Sequence, residues 1–177
     1  MNTVKIGSQE WATEDLKVAK FCNGEDIPLV KDDKEWAELT TAAYCISPKG
    51  HYLYNWYAVN DPRGLAPEGF HVPSDEEWTQ LTEFLGGEDV AGNELKSTDW
   101  DGTNSSGFSA LPSGLRDDYN GSFDYLGCGF WWTSSPSETH AWYRDLYPGN
   151  SNVYRANNYV RNGFSVRCLK TFNTNEK

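Results

Sequence analysis

The sequence predicts an α+β fold with few helices, and three observations carry that prediction. One segment, "VPSDEEWTQLTEFLGG", holds a full set of helix start and stop signals. Strand-like pieces elsewhere are short and scattered. Clusters of Gly, Pro, Asn, Asp and Ser, such as "NDPRGLAPEG" and "TDWDGTNSSGFSALPSGLRDDYNGS", separate them. A chain of 177 residues can bury a sizeable core and fits a single domain, expected over 1–172 with a flexible tail at 173–177. Aromatic residues at 15% and charged residues at 23% set the chain apart from disordered sequences.

Taken in order, the first strand is expected at Thr3 to Ile6, directly after Met1, which leaves room for a leader or anchor upstream. Short helical turns are expected around Asp33 to Leu39 and Asp89 to Lys96, and a strand at Gly50 to Tyr54. The main helix starts at Ser74, whose hydroxyl can cap it, with Glu77 completing a capping box. Asp75 and Glu76 suit the positive end of the helix dipole, and Gly86-Gly87 ends the helix. Its buried stripe is read as Trp78, Leu81, Phe84 and Leu85. Further strands are expected at Gly129 to Thr133, Trp142 to Tyr147, Asn152 to Ala156 and Phe164 to Leu169. Adjacent strand residues face opposite sides, so one of Trp131 and Trp132 should fill the core while the other caps the opposite surface.

The stretch "NSNVYRANNYVRNGFSVRC", Asn150 to Cys168, reads as two texts joined at Gly163. Its last part, Phe164-Ser165-Val166-Arg167-Cys168, alternates apolar with polar as a half-buried strand does. The part before Gly163 is rich in Asn, Tyr and Arg, which build cores poorly but serve as adaptable contact residues.

Composition removes several classes of function. A formal net charge of −11 argues against a nucleic-acid partner, which needs clustered Lys and Arg. No apolar run has the length of a membrane span, roughly 18 residues or more. The four cysteines, Cys22, Cys45, Cys128 and Cys168, lack zinc spacing; small buried thiols and disulfides are both open readings. His51, His71 and His140 are isolated in sequence and are expected at three separate places. Helix capping accounts for Asp75, Glu76 and Glu77 without catalysis, and the serines of "TNSSGFSALPSGLR" lack the context of a nucleophile elbow. Asp99, Asp101, Asn104, Asp117, Asp118 and Asn120 could offer oxygen ligands to calcium, although turn chemistry explains them equally well. No catalytic residue, metal or cofactor is assigned.

The motifs "VKIGSQEWATEDLKV", "LYNWYAVNDPRGLAPEGFHVPSDEEWTQL", "AGNELK", "TNSSGFSALPSGLR", "GFWWTSS" and "NGFSVRCLK" resemble, in order, those of the Fibrobacter succinogenes major paralogous domain family, from about Thr3 to Lys170. The resemblance implies a C-type-lectin-like domain of the formylglycine-generating-enzyme type, with a small mixed sheet, about two helices and much ordered loop. It also implies a secreted protein or one at the bacterial cell surface. Related domains are the variable proteins of diversity-generating retroelements, in which C-terminal codons of Asn type are randomised across a ligand-binding face. Such codons yield no Glu, Gln, Lys, Met or Trp, and none of these occurs from Tyr143 to Asn162. Cys45 and Cys168 lie in segments that the family also marks with cysteine, so a disulfide, if one forms, is expected between them.

The function expected from this likeness is noncatalytic binding of a protein or glycan. Strand alternation selects the contact residues: Tyr143, Asp145, Tyr147, Asn150, Asn152, Tyr154, Asn157, Asn158, Tyr159 and Arg161, exposed on one side, with Trp142, Leu146, Val153, Phe164 and Val166 buried beneath. An ordinary polar edge strand would alternate similarly and stays as the alternative. Formylglycine-generating enzymes hold copper in a close cysteine pair, which the spacing of these cysteines does not repeat. Calcium-dependent lectins use Glu-Pro-Asn or Gln-Pro-Asp tripeptides, and neither occurs.

Overall fold

The computed structural model describes residues 1–172; the tail expected at 173–177 lies outside the described residues. The architecture is α+β, with several small sheets and four short α-helices among the described residues, where the resemblance implied one small mixed sheet and about two helices. Strands β1 (Thr3–Ile6) and β2 (Gln9–Ala12) form a hairpin that continues through β11 (Leu169–Lys170) to β5 (Phe70–His71). Strand β3 (Tyr44–Ile46) pairs with β4 (Tyr52–Tyr54), and β6 (Leu115–Arg116) with β7 (Phe123–Asp124). The longest sheet is the meander β8 (Gly129–Ser137), β9 (His140–Leu146) and β10 (Tyr154–Tyr159), with β9 central and β10 at an edge. All of these ladders are antiparallel.

Helix α3 (Asp75–Phe84) carries the expected capping box: Glu77 N–H donates to Ser74 Oγ at 3.1 Å, and Ser74 N–H donates to the Glu77 carboxylate at 2.7 Å. Its buried face is Trp78, Leu81 and Thr82, continued by Leu85. Phe84, expected in that stripe, is 63% exposed, because at 100° per residue it falls beside the stripe and lies over Gly7 in the β1–β2 turn. Helices α1 (Asp33–Ala37) and α4 (Ala91–Leu95) form where helical turns were expected. Helix α2 (Trp56–Val59) was not foreseen; its all-apolar four residues have no period to read, and only the Asn55 cap marks it.

The β8–β9 sheet divides the two large parts of the core. Phe130 and Trp132 enter a cluster with Tyr54, Phe164 and Val166, while Trp131 and Leu146 enter another with Trp11, Trp78 and Phe108. The two indoles do face opposite ways, but both are fully buried, since elements cover both faces of β8. Each indole N–H finds an acceptor, Trp131 at Asp15 Oδ1 (2.8 Å) and Trp132 at the Tyr54 carbonyl (2.9 Å).

Residues Asn162 to Leu169 are buried without a break. Gly163 bridges Arg116, Phe164 bridges Tyr54, Ser165 bridges Trp131, and Leu169 joins β2 and β5, so this seam stitches the separate sheets together. In place of the half-buried strand expected over Phe164 to Leu169 there is a run of isolated bridges that becomes a strand only at Leu169–Lys170, and it is buried on all sides through Leu169. Arg167 is satisfied internally: it donates through Nε to Asp15 at 2.8 Å, through Nη1 to the carbonyls of Ala12 and Phe108, and lies over the Phe108 ring, whereas the Ser165 hydroxyl is buried without a partner. A Cβ on Gly163 would stand 2.7 Å from the Arg116 Cβ and 2.8 Å from Trp36, a crowding only glycine avoids.

All four cysteines are free. Cys45 packs with Val30, Trp36 and Leu53, whereas Cys168 belongs to the Phe164 cluster, so the Cys45–Cys168 pairing is not formed. Burial pushes each of these thiols up to about 12. No helix among the described residues is long and apolar enough to cross a membrane.

Candidate functional site

The β9–β10 ribbon has two faces, fixed by its register. Tyr154 opposes Asp145 and Ala156 opposes Tyr143 on one face; Arg155 opposes Arg144 and Asn157 opposes Trp142 on the other. The first face carries a cleft of about 540 Å³ lined by Asp145, Tyr147, Asn150, Tyr154, Arg155 and Ala156.

Aromatic rings form its walls. Tyr147 meets Tyr154 edge-on with centroids 5.5 Å apart and meets Phe130 at 6.3 Å. Tyr143, half-buried next along the strand, packs on Phe164 at 4.9 Å and against Trp132 at 6.2 Å. Asp145 is only 4% exposed, which corrects its expected place among the exposed contacts. On a central strand its same-face neighbours are Phe130 and Tyr154 across, and Tyr143 and Tyr147 along, and these large rings shield it. Its Oδ1 is buried without a hydrogen-bond partner. Burial raises the carboxyl to about 6, with the Tyr147 hydroxyl and the Arg144 guanidinium offsetting part of the effect. Burial likewise raises the phenols of Tyr143, to about 12, and of Tyr147.

The β9–β10 loop is tethered from below. Lys96, 2% exposed, donates to the Tyr147 carbonyl at 3.2 Å and the Asn150 carbonyl at 2.9 Å, and pairs with Asp101. Asp101 in turn accepts from Gly149 N–H at 2.5 Å. Helix α4 reaches the loop because Gly92 lacks a side chain: its N–H donates to the Ser151 carbonyl at 2.8 Å, and a Cβ there would stand 2.6 Å from that oxygen. Asn150 donates to the Tyr154 hydroxyl at 3.2 Å and accepts from Asn152 N–H at 2.9 Å, so the Tyr154 ring is held at the rim. Asn152 is turned to Asp89 at 3.1 Å.

The opposite face is clamped to α3. Arg144, fully buried, donates to Asp75 Oδ1 at 2.6 Å and to Thr79 at 3.0 Å, while Arg155 grips the same carboxylate through Nε and Nη2 and stacks over Trp142 at 3.7 Å. Burial alone would raise the Asp75 carboxyl, but the hydrogen bonds from Arg155 and Arg144 outweigh it and hold it below its usual value. Asp75 therefore does more than start a helix: it fastens the ribbon. Trp142, expected in the core, is half-buried because Arg155 covers it from the solvent side.

The contact residues expected from the sequence thus separate. Asp145, Tyr147, Asn150 and Tyr154 line the cleft; Tyr143 and Asn158 share its face, and Asn152 braces its loop. Asn157 and Tyr159 lie on the other face, where Tyr159 stacks on His140 at 4.4 Å. Arg161 is past the strand, 4.0 Å from Asp118. Leu146, Val153, Phe164 and Val166 are buried as expected. Lys96, Asp101 and Asp75 went unforeseen as supports, because their partners lie far away in sequence.

The histidines occupy three places: His71 bonds Glu77 and Thr171, His140 stacks on Tyr159, and His51 lines a separate polar cleft with Asp15 and Arg167. The central oxygen-rich loops divide likewise. Asp101 serves Lys96, Asn104 bonds Ser109, Asp117 accepts from the Tyr119 and Asn120 N–H groups, and Asp118 accepts from Asn162. Among the described residues no three His, Cys, Asp or Glu side chains gather closely enough to hold a metal ion.

Together these features define a small, loop-rich α+β domain of antiparallel ribbons, closed by a buried C-terminal seam and carrying an aromatic-walled cleft at one sheet edge. The chain belongs to the Fibrobacter succinogenes major domain family, whose model matches residues 4–170. No curated protein and no solved structure gives a match.

Proposed function

We propose that this is a noncatalytic binding domain of the C-type-lectin-like type, which meets a protein or glycan outside the cell or at the bacterial surface through the β9–β10 ribbon and its loop. The observation that carries the reading is the cleft of about 540 Å³ walled by Tyr147 and Tyr154 and held open by a buried lysine below it. Tyrosine gives large, rigid, amphipathic area at low entropy cost, and the neighbouring asparagines give adaptable hydrogen bonds. Arg144, Arg155 and Lys96 fix the backbone of this region through residues outside it, which suits a surface whose exposed side chains vary while the scaffold stays fixed. Diversification of 143–162 by a retroelement is part of this proposal.

The test is an array of glycans and surface proteins probed with the full chain and with Tyr154→Ala, each with and without chelator. Retained ligands that Tyr154→Ala loses, with chelator having no effect, are the expected result. Chelator-sensitive sugar binding would instead identify a calcium-dependent lectin, and ligands indifferent to both Tyr147→Ala and Tyr154→Ala would overturn the assignment of this face.

A further inference from the structure

The cleft has an unusual floor. Asp145 contributes a carboxylate that is 4% exposed, makes no ion pair among the described residues, and leaves Oδ1 buried without a partner. A buried, unpaired carboxylate is unfavourable for folding unless something else repays it. The two guanidinium groups nearest in sequence cannot serve, because Arg144 and Arg155 point to the other face of the ribbon, where Asp75 holds both. Above the carboxylate stand the Tyr147 and Tyr154 rings, perpendicular to one another at 83°.

We propose that this cup, with Asp145 at its floor and Tyr147 and Tyr154 as walls, receives an organic ammonium group of the ligand. The inference rests on the binding-face reading above and specifies its chemistry. Aromatic faces attract cations through the ring quadrupole, most strongly where the cation is poorly hydrated, and the carboxylate supplies the counter-charge. A hard metal ion is a poor fit, since calcium takes 6–8 oxygen ligands and the cup offers one carboxylate; Arg155 adds only its stem to the lining, its guanidinium being held by Asp75. An anion is opposed by Asp145 and by the net charge of −11, which instead draws cations toward the protein. The same ammonium chemistry occurs on a lysine side chain and on a quaternary headgroup, and two probes separate these sources.

The amide spectrum of the full chain is titrated with n-butylammonium, which mimics lysine, with choline, which mimics a headgroup, and with 3,3-dimethylbutan-1-ol, the uncharged isostere of choline. Shifts confined to 145–156 are expected with one or both cations, the isostere binding at least about tenfold more weakly. Whichever cation binds more tightly names the source. Asp145→Asn keeps the shape and removes the charge, and it should abolish the cation shifts while leaving the remaining spectrum folded; Tyr147→Leu, which keeps the carboxylate, should weaken them and stands in if Asp145→Asn does not fold. Equal binding of the isostere, unchanged binding by Asp145→Asn, or no shift at saturating concentration would each overturn the ammonium assignment. An array ligand lost in Tyr154→Ala but kept in Asp145→Asn would sink this inference and leave the binding face standing.

Discussion

Residues 150–161 and 162–169 are neighbours in the chain and opposites in the fold. The earlier segment runs along an edge strand, its hydrogen bonds going mainly to β9 and to the loop it belongs to, and its tyrosines are the exposed ones, Tyr154 at 42% and Tyr159 at 54%. The later segment touches five different parts of the molecule within eight residues, through Arg116, Tyr54, Trp131, Ala12 and His71, and exposes none of its side chains. Gly163 is the joint, pressed between Arg116 and Trp36. The contrast separates two tasks. Long-range contacts that hold the sheets together are concentrated after the joint, so the surface before it can change without loosening the core.

The strongest way to break that contrast is at the seam. Phe164 is fully buried and packs on Trp132 at 4.2 Å, Tyr143 at 4.9 Å and Phe130 at 5.3 Å. Phe164→Ala should cost about 3–5 kcal/mol, measured by urea unfolding. A loss no larger than that of an exposed tyrosine would show that the seam is not what closes the fold.

Two aspartates on opposite faces of the ribbon sharpen it next. Asp145 is raised to about 6, so the folded state takes up a proton more readily than the unfolded chain, and stability should rise as pH falls from about 6 toward 4. Around it stand the phenols of Tyr143 and Tyr147 and the Cys128 thiol, all raised by burial and by the charge on Asp145, so these three stay protonated across that window; the Tyr154 ring and the backward-facing Arg144 complete its surroundings. Asp145→Asn should stabilise the protein at pH 7 by up to about 3 kcal/mol and flatten the profile. Asp75 is held low, so its contribution has the opposite sign: it is present at neutral pH and lost as pH falls through its depressed value. Asp75→Asn should destabilise at pH 7 and lose that effect in acid. Melting curves of both variants from pH 3 to 7 check this, and matching slopes would refute it.

Lys96 tethers the β9–β10 loop alone, through the Tyr147 and Asn150 carbonyls and Asp101. Lys96→Met keeps the stem but leaves the Tyr147 and Asn150 carbonyls without their donor, at a cost of about 1–2 kcal/mol. Amide exchange should quicken in 147–151 and stay unchanged in 163–169; uniform quickening would mean that the tether serves the whole fold.

Much of this was legible in the sequence, and the reasons for the remainder are physical. Helix α3 was readable because Ser74, Glu77 and Gly86 act locally. Period-2 alternation assigned Leu146 and Val153 to the core correctly. The same rule misplaced Asp145, since alternation gives the face of a residue and not what its neighbours across the sheet will cover. It also split the expected contact set, because a strand edge has two sides and only the register says which residues share one. For Arg167 and Lys96, charge pointed to the surface, whereas partners separated by up to 155 residues made burial tolerable.

The smallest stability effects carry the most information about the ribbon. Tyr154 and Tyr159 are both exposed, both on β10, and on opposite faces. Replacing either with alanine should change unfolding free energy by less than about 0.5 kcal/mol, because neither ring is enclosed by the core. Binding should not treat them alike. Tyr154 walls the cleft and is held there by Asn150, whereas Tyr159 lies against His140 on the side clamped to α3. Tyr154→Ala should therefore abolish capture of the array ligand, and Tyr159→Ala should leave it within about threefold, which is less than about 0.7 kcal/mol. Equal losses would mean that the ligand wraps the edge and meets both faces; a loss confined to Tyr159→Ala would move the site to the other face and empty the cleft of its role.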